Sequence, residues 1–234
     1  MIGLGTMANV GGILAGSCLG LLLGRGIKDK YREIVMQAIA LCVGVIGLQM
    51  ALKTQNIMID IISMVVGSIL GEYLDIEGKL NTLGQFLGNK FAKKKSGGDG
   101  AAQDQFVEGF VSTSLIFCVG AMAIVGSLQD GLKGDPSILY AKSLMDGTGS
   151  VVFSANFGLG VAFSALSVGI YQGALTLLAS WVGPYLTEFV IGEVSSVGGL
   201  LILAISINMF NVIKLRIGNM LPAMFVAGLI AALI

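Results

Sequence analysis

The chain has 234 residues, of which 55% are apolar and 12% are charged, and its formal net charge is zero. Soluble domains carry about a quarter charged residues, so this composition favours a protein that lies in a lipid bilayer. Histidine is absent, which excludes a serine–histidine catalytic triad and a histidine-based zinc site. We therefore expect an all-α integral membrane protein that is not an enzyme, uses no cofactor or metal, and binds no nucleic acid.

Eight apolar segments are long enough to be transmembrane helices, since roughly 20 helical residues span the hydrocarbon core. In chain order they are A (about 3–24), B (34–53), C (57–74), D (106–127), E (138–157), F (158–181), G (197–213) and H (217–234). Segments E and F run together, and Gly158 and Gly160 predict the break between them. No basic residue precedes Arg25, so A is interpreted as a membrane helix and not as a secretory signal.

The segment between C and D is the one long polar stretch. Leu80, Leu83 and Leu87 recur near the helical period, which predicts an amphipathic helix over about 76–95 on the membrane surface. It ends in three lysines at 93–95, and the glycine-rich residues 96–102 that follow are expected to form a mobile loop. The linker thus covers about 76–105 within a single membrane domain, 1–234.

Basic residues predict the orientation of the chain, because cytoplasmic loops of membrane proteins are rich in lysine and arginine. Most of them lie in the A–B loop, the C–D linker and the G–H turn: Arg25, Lys28, Lys30, Arg32, Lys79, Lys90, Lys93, Lys94, Lys95, Lys214 and Arg216. The loops on the opposite side hold Lys53 and Lys133. We therefore expect the basic loops in the cytoplasm and both termini outside.

Short self-similarities indicate an internal repeat. The matching pairs are Ala8-Asn9-Val10-Gly11 with Ala155-Asn156-Phe157-Gly158, Cys42-Val43-Gly44 with Cys118-Val119-Gly120, and Gln49-Met50 with Asn208-Met209. A-B-C (about 1–75) would then be an inverted copy of F-G-H (about 150–234), with D and E (about 106–157) between them. Inverted repeats are a recurring architecture of secondary transporters. Glycine-rich apolar sequences also match one another by chance.

Helix E contains two ionisable residues. Lys142 and Asp146 are four residues apart, so they share one helical face and can pair. An ionisable group near the bilayer centre costs at least about 2.5–3.5 kcal/mol unless it is paired or hydrated, and such groups usually serve a function. We interpret Asp146 as a carboxylate that binds a substrate or an ion, with Lys142 as its partner. The structural alternative is that Lys142 extends to the interface and Asp146 only orders the bundle.

Other polar residues extend this candidate site. Thr148 and Ser150 lie in the run Gly147-Thr148-Gly149-Ser150, which would either interrupt helix E and expose ligand groups or only allow close helix approach. The remaining candidate ligands are the amides Asn9, Asn156 and Gln172. Amides in membrane helices serve equally well as hydrogen bonds between helices, so both roles stay open.

A stripe of small residues runs along helix A, where Gly12, Gly16, Gly20 and Gly24 recur every fourth residue. This spacing is typical of closely packed membrane helices. It would serve packing within the chain and a homo-oligomer equally well. Asp130, by contrast, is assigned to the solvated turn between D and E.

Several runs carry a family resemblance: Phe117-Cys118-Val119-Gly120-Ala121-Met122, Gly126-Ser127-Leu128-Gln129-Asp130-Gly131-Leu132, Ala141-Lys142-Ser143-Leu144-Met145-Asp146-Gly147, Tyr171-Gln172-Gly173 and Gly218-Asn219-Met220-Leu221-Pro222. With these runs the chain resembles the YdfK/YqgA-like bacterial inner-membrane proteins, a family of unknown function. The resemblance covers essentially the whole chain. It implies a polytopic helical fold in the bacterial plasma membrane, and it implies no substrate or reaction.

These patterns favour a secondary transporter or channel-like carrier of a small polar or ionic solute, with its site near the membrane midplane around helix E. The alternative is a non-transporting membrane scaffold or regulatory subunit, whose basic segment 76–95 would dock a partner or anionic lipid. A water-accessible path to Asp146 would favour transport, and a sealed bundle would favour scaffolding.

Overall fold

The computed structural model describes residues 2–24, 29–79, 82, 99–210 and 213–234, and these form helices and short connections without a strand. The main helices are α1 (Leu4–Gly24), α2 (Asp29–Ala51), α3 (Ile57–Leu74), α4 (Asp99–Cys118), α5 (Ala121–Lys133), α6 (Ser137–Phe157), α7 (Gly160–Leu177), α8 (Ala179–Val182), α9 (Glu188–Met209) and α10 (Pro222–Leu233). Short 3₁₀ turns at Gly183–Tyr185 and Ile217–Met220 precede α9 and α10.

The distribution of side chains is that of a protein whose surface faces lipid. Large apolar residues such as Met7, Leu22 and Leu144 are exposed, whereas the polar residues Asn9 and Ser17 are completely buried. Soluble proteins have the opposite arrangement. In the part of the chain that the structure describes, five helices are long and apolar enough to cross a membrane: Leu4–Gly24, Glu33–Ala51, Ile57–Leu74, Gly160–Leu177 and Glu188–Met209. The all-α integral membrane fold is confirmed.

The predicted count of eight spans is not confirmed. The pair Gln105–Cys118 and Ala121–Lys133 bends by 62° at its break and adds a sixth span if both halves cross together. Helix α6 has 21 residues but is not among the helices that are apolar enough to span, since it carries Lys142 and Asp146. Helix α10 has 12 residues, so it rises about 18 Å, which is short of the roughly 30 Å hydrocarbon core.

Several element boundaries differ from the sequence predictions. Segment D is divided between α4 and α5, and Gly120 in the break has a φ of 134° that favours glycine. Segment G begins earlier, at Glu188, because the buried carboxylate of Glu193 finds hydrogen-bond donors and therefore does not end the helix. Residues 99–102 start α4 instead of forming a loop. The predicted amphipathic segment 76–95 lies mostly outside the described residues.

The break between E and F is where the glycines predict it. Helix α6 ends at Phe157, and Gly158 has a φ of 75°, a left-handed conformation that an L side chain rarely adopts. Helix α7 then begins at Gly160. Helix α6 is continuous through residues 147–150, so of the two alternatives for this run the interruption of helix E is not observed. The glycines of that run allow close packing instead.

Contacts divide the chain into two compact units. The first contains α1, α4, α6, α7 and most of α5, and the second contains α2, α3, α9 and α10. Each predicted repeat contributes helices to both units, since segments A and F belong to the first and segments B, C, G and H belong to the second. This division into units does not test the inverted repeat, which stays a prediction.

A glycine stripe joins α1 to α6 in the first unit. Gly12, Gly16, Gly20 and Gly24 face the backbone carbonyl groups of Ser143, Gly147, Val151 and Ala155. A Cβ atom on Gly16 would overlap the carbonyl oxygen of Gly147, which cannot move without distorting α6. The absence of side chains thus brings the two helix backbones into direct contact, as small residues do in membrane bundles. Helix α7 packs on α1 and on α4.

In the second unit, α9 packs on α2, and α10 packs on both α3 and α9. A Cβ atom on Gly47 would lie 2.8 Å from the carbonyl oxygen of Gly199, so α2 and α9 also meet at glycines. The Ser206 hydroxyl donates to the Ala40 carbonyl oxygen at 2.6 Å and fixes their register. An apolar cluster that includes Ile59 fills the space among α3, α9 and α10.

Candidate functional site

Four polar side chains meet in the interior of the first unit. Lys142 and Asp146 come from α6, Asn9 from α1 and Gln172 from α7. The Nζ atom of Lys142 lies 2.9 Å from each carboxylate oxygen of Asp146. Asn9 Nδ2 donates hydrogen bonds to Asp146 Oδ2 at 3.0 Å and to Gln172 Oε1 at 3.2 Å. We call these four residues the polar cluster.

The local sequence explains why α1 and α6 meet at the polar cluster. The short side chain of Asn9 reaches Asp146 because Gly12, one turn further along α1, lets the helices approach. The Ser143 hydroxyl donates to the Ala8 carbonyl oxygen at 2.8 Å, which sets the register between the two helices. The glycine stripe therefore positions the cluster as well as holding the helices together.

Burial makes the ion pair of the polar cluster unusual. Lys142 is 7% exposed and Asp146 is 5% exposed, so Lys142 does not extend to the interface as the structural alternative required. A buried ion pair is often no more stabilising than apolar residues of the same volume, because both charges lose their hydration. Stabilisation of the fold is therefore a weak explanation for the burial of this ion pair. The thiol of Cys118, at the end of α4, lies within electrostatic range of both charges.

Two polar atoms of the cluster have no hydrogen-bond partner among the described residues: Asn9 Oδ1 and Gln172 Nε2. The first is an acceptor and the second carries two hydrogen atoms to donate. Both residues are completely buried. Unpartnered buried polar groups cost about 1–3 kcal/mol each, so they indicate a place where a polar molecule or water binds.

The other candidate ligands do not join the polar cluster. Thr148 is exposed, and its single hydroxyl hydrogen is shared between the carbonyl oxygens of Leu144 and Met145 in its own helix, each 2.9 Å away. Ser150 is buried one turn from Asp146 and donates to the Asp146 carbonyl oxygen at 2.7 Å. Asn156 lies near the end of α6 and donates to the Val152 carbonyl oxygen at 2.8 Å. Each of these side chains bonds to its own helix, which sequence spacing alone does not reveal.

The prediction that Asp130 lies in a solvated turn is wrong. Asp130 is completely buried within α5, and its Oδ2 atom accepts hydrogen bonds from the Gly3 and Gly5 amides at 3.2 and 3.1 Å. Gly5 is in the first turn of α1 and Gly3 immediately precedes the helix, where backbone N–H groups have no partner within the helix. Asp130 therefore caps α1, and this long-range role left no local signal in the sequence.

Sequence reasoning missed two buried carboxylates in the second unit, Asp60 on α3 and Glu193 on α9. Glu193 accepts hydrogen bonds from the Thr54 hydroxyl at 2.8 Å and from the Gln55 and Asn56 amides at 2.7 and 3.2 Å. The available signal was the one that identified Asp146, namely an acidic residue within an apolar segment. Among the described residues, no group of three or more histidine, cysteine or acidic side chains could hold a metal ion.

Comparison with known proteins agrees with this membrane architecture. The chain is 31% identical over 228 residues to the uncharacterized membrane protein YdfK of Bacillus subtilis (strain 168), which covers 95% of this chain and 93% of YdfK. It is 29% identical over 226 residues to the uncharacterized protein YqgA of Escherichia coli (strain K12), covering 96% of this chain and 94% of YqgA. No solved structure matches. The model of the protein family of unknown function DUF554 matches residues 4–232, and the chain therefore belongs to that family of membrane proteins.

Proposed function

We propose that this protein carries a small polar or ionic solute across the bacterial plasma membrane, and that the polar cluster of Lys142, Asp146, Asn9 and Gln172 binds that solute. The observation that carries the proposal is the pair of unpartnered buried atoms, Asn9 Oδ1 and Gln172 Nε2. They supply one acceptor and one donor group beside an ion pair. A solute with matching donors and acceptors would satisfy all of them. We propose a carrier and not an enzyme.

The charges of the cluster support a polar solute. Lys142 and Asp146 neutralise one another, so the site imposes no net charge on what enters it. An ionic solute would bind by exchanging with one partner of the pair, and the separated partner would then be held by the amides. Three helices contribute to the cluster, so a small relative movement of α1, α6 or α7 would make or break it. A binding site shared by several helices suits a transporter that opens alternately to the two sides of the membrane.

The test is a thermal-shift screen of the detergent-purified chain against inorganic ions and small metabolites. A solute that binds only the folded state at about one hundred times its Kd stabilises that state by about 2.7 kcal/mol. We expect at least one solute to raise the midpoint of the wild type and not that of Asp146→Asn or Gln172→Leu. Thr148→Val is the matched control, because Thr148 is on α6 but outside the cluster, and it should keep the response.

Transport is then measured with the solute found in the screen. The wild type and Thr148→Val, reconstituted in vesicles, should take up that solute, and Asp146→Asn should not. If no solute stabilises the wild type and Asp146→Asn is merely less stable, the cluster is structural. That result would contradict the proposal and favour the scaffold alternative.

A further inference from the structure

The second unit buries two carboxyl groups that have no cationic partner among the described residues. Glu193 is completely buried and Asp60 is 2% exposed. The ion pairs of the described residues join Lys142 to Asp146 and Arg216 to Glu72, so neither Glu193 nor Asp60 has a basic partner there. The two carboxyl groups are close enough to interact electrostatically. Two neighbouring negative charges are strongly unfavourable in an apolar interior, so one of the two groups is expected to be neutral.

Of the two carboxyl groups, Glu193 has the surroundings that stabilise a charged carboxylate. Its Oε2 atom accepts the Thr54 hydroxyl, and its Oε1 atom accepts the backbone amides of Gln55 and Asn56. A carboxylate that accepts two or three such hydrogen bonds is stabilised in its ionised form. The Thr54 hydroxyl has one hydrogen, which is used in this contact, and its oxygen accepts the Asn56 amide at 3.2 Å.

The two contacts of Ser196 fit a neutral Asp60. The Ser196 hydroxyl oxygen lies 2.8 Å from the Ala51 carbonyl oxygen and 2.7 Å from Asp60 Oδ2. A hydroxyl group has one hydrogen, and a backbone carbonyl can only accept. If Ser196 donates to Ala51, the second contact requires a hydrogen on Asp60 Oδ2. With a neutral Asp60, each of these two short contacts has a hydrogen atom of its own, whereas a charged Asp60 would have to share the single Ser196 hydrogen with Ala51.

Two further atoms are open beside Asp60. Asp60 Oδ1 has no hydrogen-bond partner among the described residues, and neither has the hydroxyl of the completely buried Ser63. Ser63 follows Asp60 by three residues, so both side chains lie on one face of α3. The carboxyl group of Asp60 therefore has an oxygen atom that is free to hold or release a proton.

We infer that Asp60 is a proton-binding site in the second unit, which holds a proton beside ionised Glu193 and exchanges it with the surroundings. A sodium ion fits less well, because the Thr54 hydroxyl and two backbone amides direct their hydrogen atoms toward Glu193 and would repel a cation. A proton, unlike a sodium ion, needs a single oxygen atom and no complete coordination shell. This inference is independent of the solute proposed above, since it concerns the second unit alone.

In the part of the chain that the structure describes, no other ionisable side chain faces Asp60 from the helices packed on α3. Among the described residues, Glu193 on α9 is the one acidic or basic group that interacts with Asp60. The 3₁₀ turn Ile217–Met220 and helix α10 also contact α3, and neither contains an ionisable residue. Lys53, which precedes α3, and Glu188, in the first turn of α9, are exposed. Glu193 is therefore the ionisable neighbour whose charge acts on a proton at Asp60.

Infrared difference spectroscopy of the full chain in lipid vesicles tests the inference. Protonated carboxyl groups absorb at higher frequency than carboxylates, so the two states are distinguished directly. We expect the wild type to show a protonated-carboxyl band that Asp60→Asn lacks, and we expect this band to disappear as the pH is raised. A band that is identical in the wild type and Asp60→Asn would overturn the assignment. A band that never responds to pH would overturn the exchange.

Two controls separate the alternatives. Adding sodium chloride in place of potassium chloride at constant pH should leave the band unchanged, and its loss on sodium addition would replace the proton by sodium. Asp60→Asn keeps a donor for Ser196 and should keep the wild-type thermal midpoint, whereas Glu193→Gln points an amide at two backbone donors and should lower it. The reverse order of midpoints would place the proton on Glu193 and overturn the assignment even if the infrared signal is weak.

Discussion

Lys142 and Asp146, one turn apart on α6, form an ion pair in which the ammonium nitrogen lies 2.9 Å from both carboxylate oxygens. Asn9 reaches the same carboxylate from α1. The spacing of the two residues on α6 brings them together, and the packing of neighbouring helices buries them. The energetic cost of that burial can be measured by substitution.

Removing one partner of the pair should cost more stability than removing both. Lys142→Met or Asp146→Leu leaves a buried charge without its partner, and we expect a loss of about 3–5 kcal/mol in the free energy of unfolding. The double variant has no buried charge left and should lose less than either single variant. Denaturant titration in detergent gives the double-mutant cycle. Additive losses would contradict a coupled pair.

The glycine stripe of α1 predicts a sharp difference between a glycine in the stripe and a glycine of the same helix outside it. A Cβ atom on Gly16 would overlap the backbone of Gly147, so Gly16→Ala should destabilise the chain by about 1–3 kcal/mol. Gly11 is in the same helix, and nothing lies within 4 Å of a Cβ placed there. Gly11→Ala should therefore be neutral or stabilise by up to about 1 kcal/mol. Equal effects of the two substitutions on the thermal midpoint would refute the close contact.

The turn before α6 predicts a pH dependence. The Ser137 amide donates to Asp135 Oδ1 at 3.0 Å, and this hydrogen bond, aided by the Gln129 side chain, lowers the pKa of Asp135. The stabilisation by Asp135 is present above its unfolded pKa of about 3.9 and is lost as the pH falls through the lower folded pKa.

The thermal midpoints of the wild type and Asp135→Asn test this pH dependence. Their difference should be constant above about pH 5 and should shrink as the pH is lowered toward 3. Asp135 is exposed, so the whole effect should be small. A difference that grows on acidification would contradict the sign.

The basic loops predict the position of the C-terminus. Lys214 and Arg216 are exposed, so we expect them in the cytoplasm. We expect the apolar segment Ile217–Leu233, which is longer than α10 alone, to carry the C-terminus outside. A C-terminal fusion to an enzyme that is active only outside the cytoplasm should be active, and a fusion to a fluorescent protein that folds only in the cytoplasm should be dark. The double substitution Lys214→Gln/Arg216→Gln should weaken this orientation. The opposite reporter pattern in the wild type would refute the predicted topology.

Much of the polar cluster could be predicted because it depends on helical period. The spacing of Lys142 and Asp146 places them on one face of any helix, and the fourfold spacing of glycines in α1 places them on one stripe. Asn9 and Gln172 were recognised as candidates from their position in apolar segments. Which of the candidates meet was not predictable. Asn156 and Thr148 fit the same description, and they bond to their own helix instead.

The sequence by itself determined that the chain is helical and lies in a membrane, because burying about twenty apolar residues and satisfying every backbone group in lipid leaves the helix as the local solution. It also determined the ion pair on α6, which depends on neighbours four residues apart. The tertiary structure alone decided the capping of α1 by Asp130 and the environments of Asp60 and Glu193. Those features depend on hydrogen bonds between residues more than one hundred positions apart, and no local periodicity records which distant donor will satisfy a buried carboxylate.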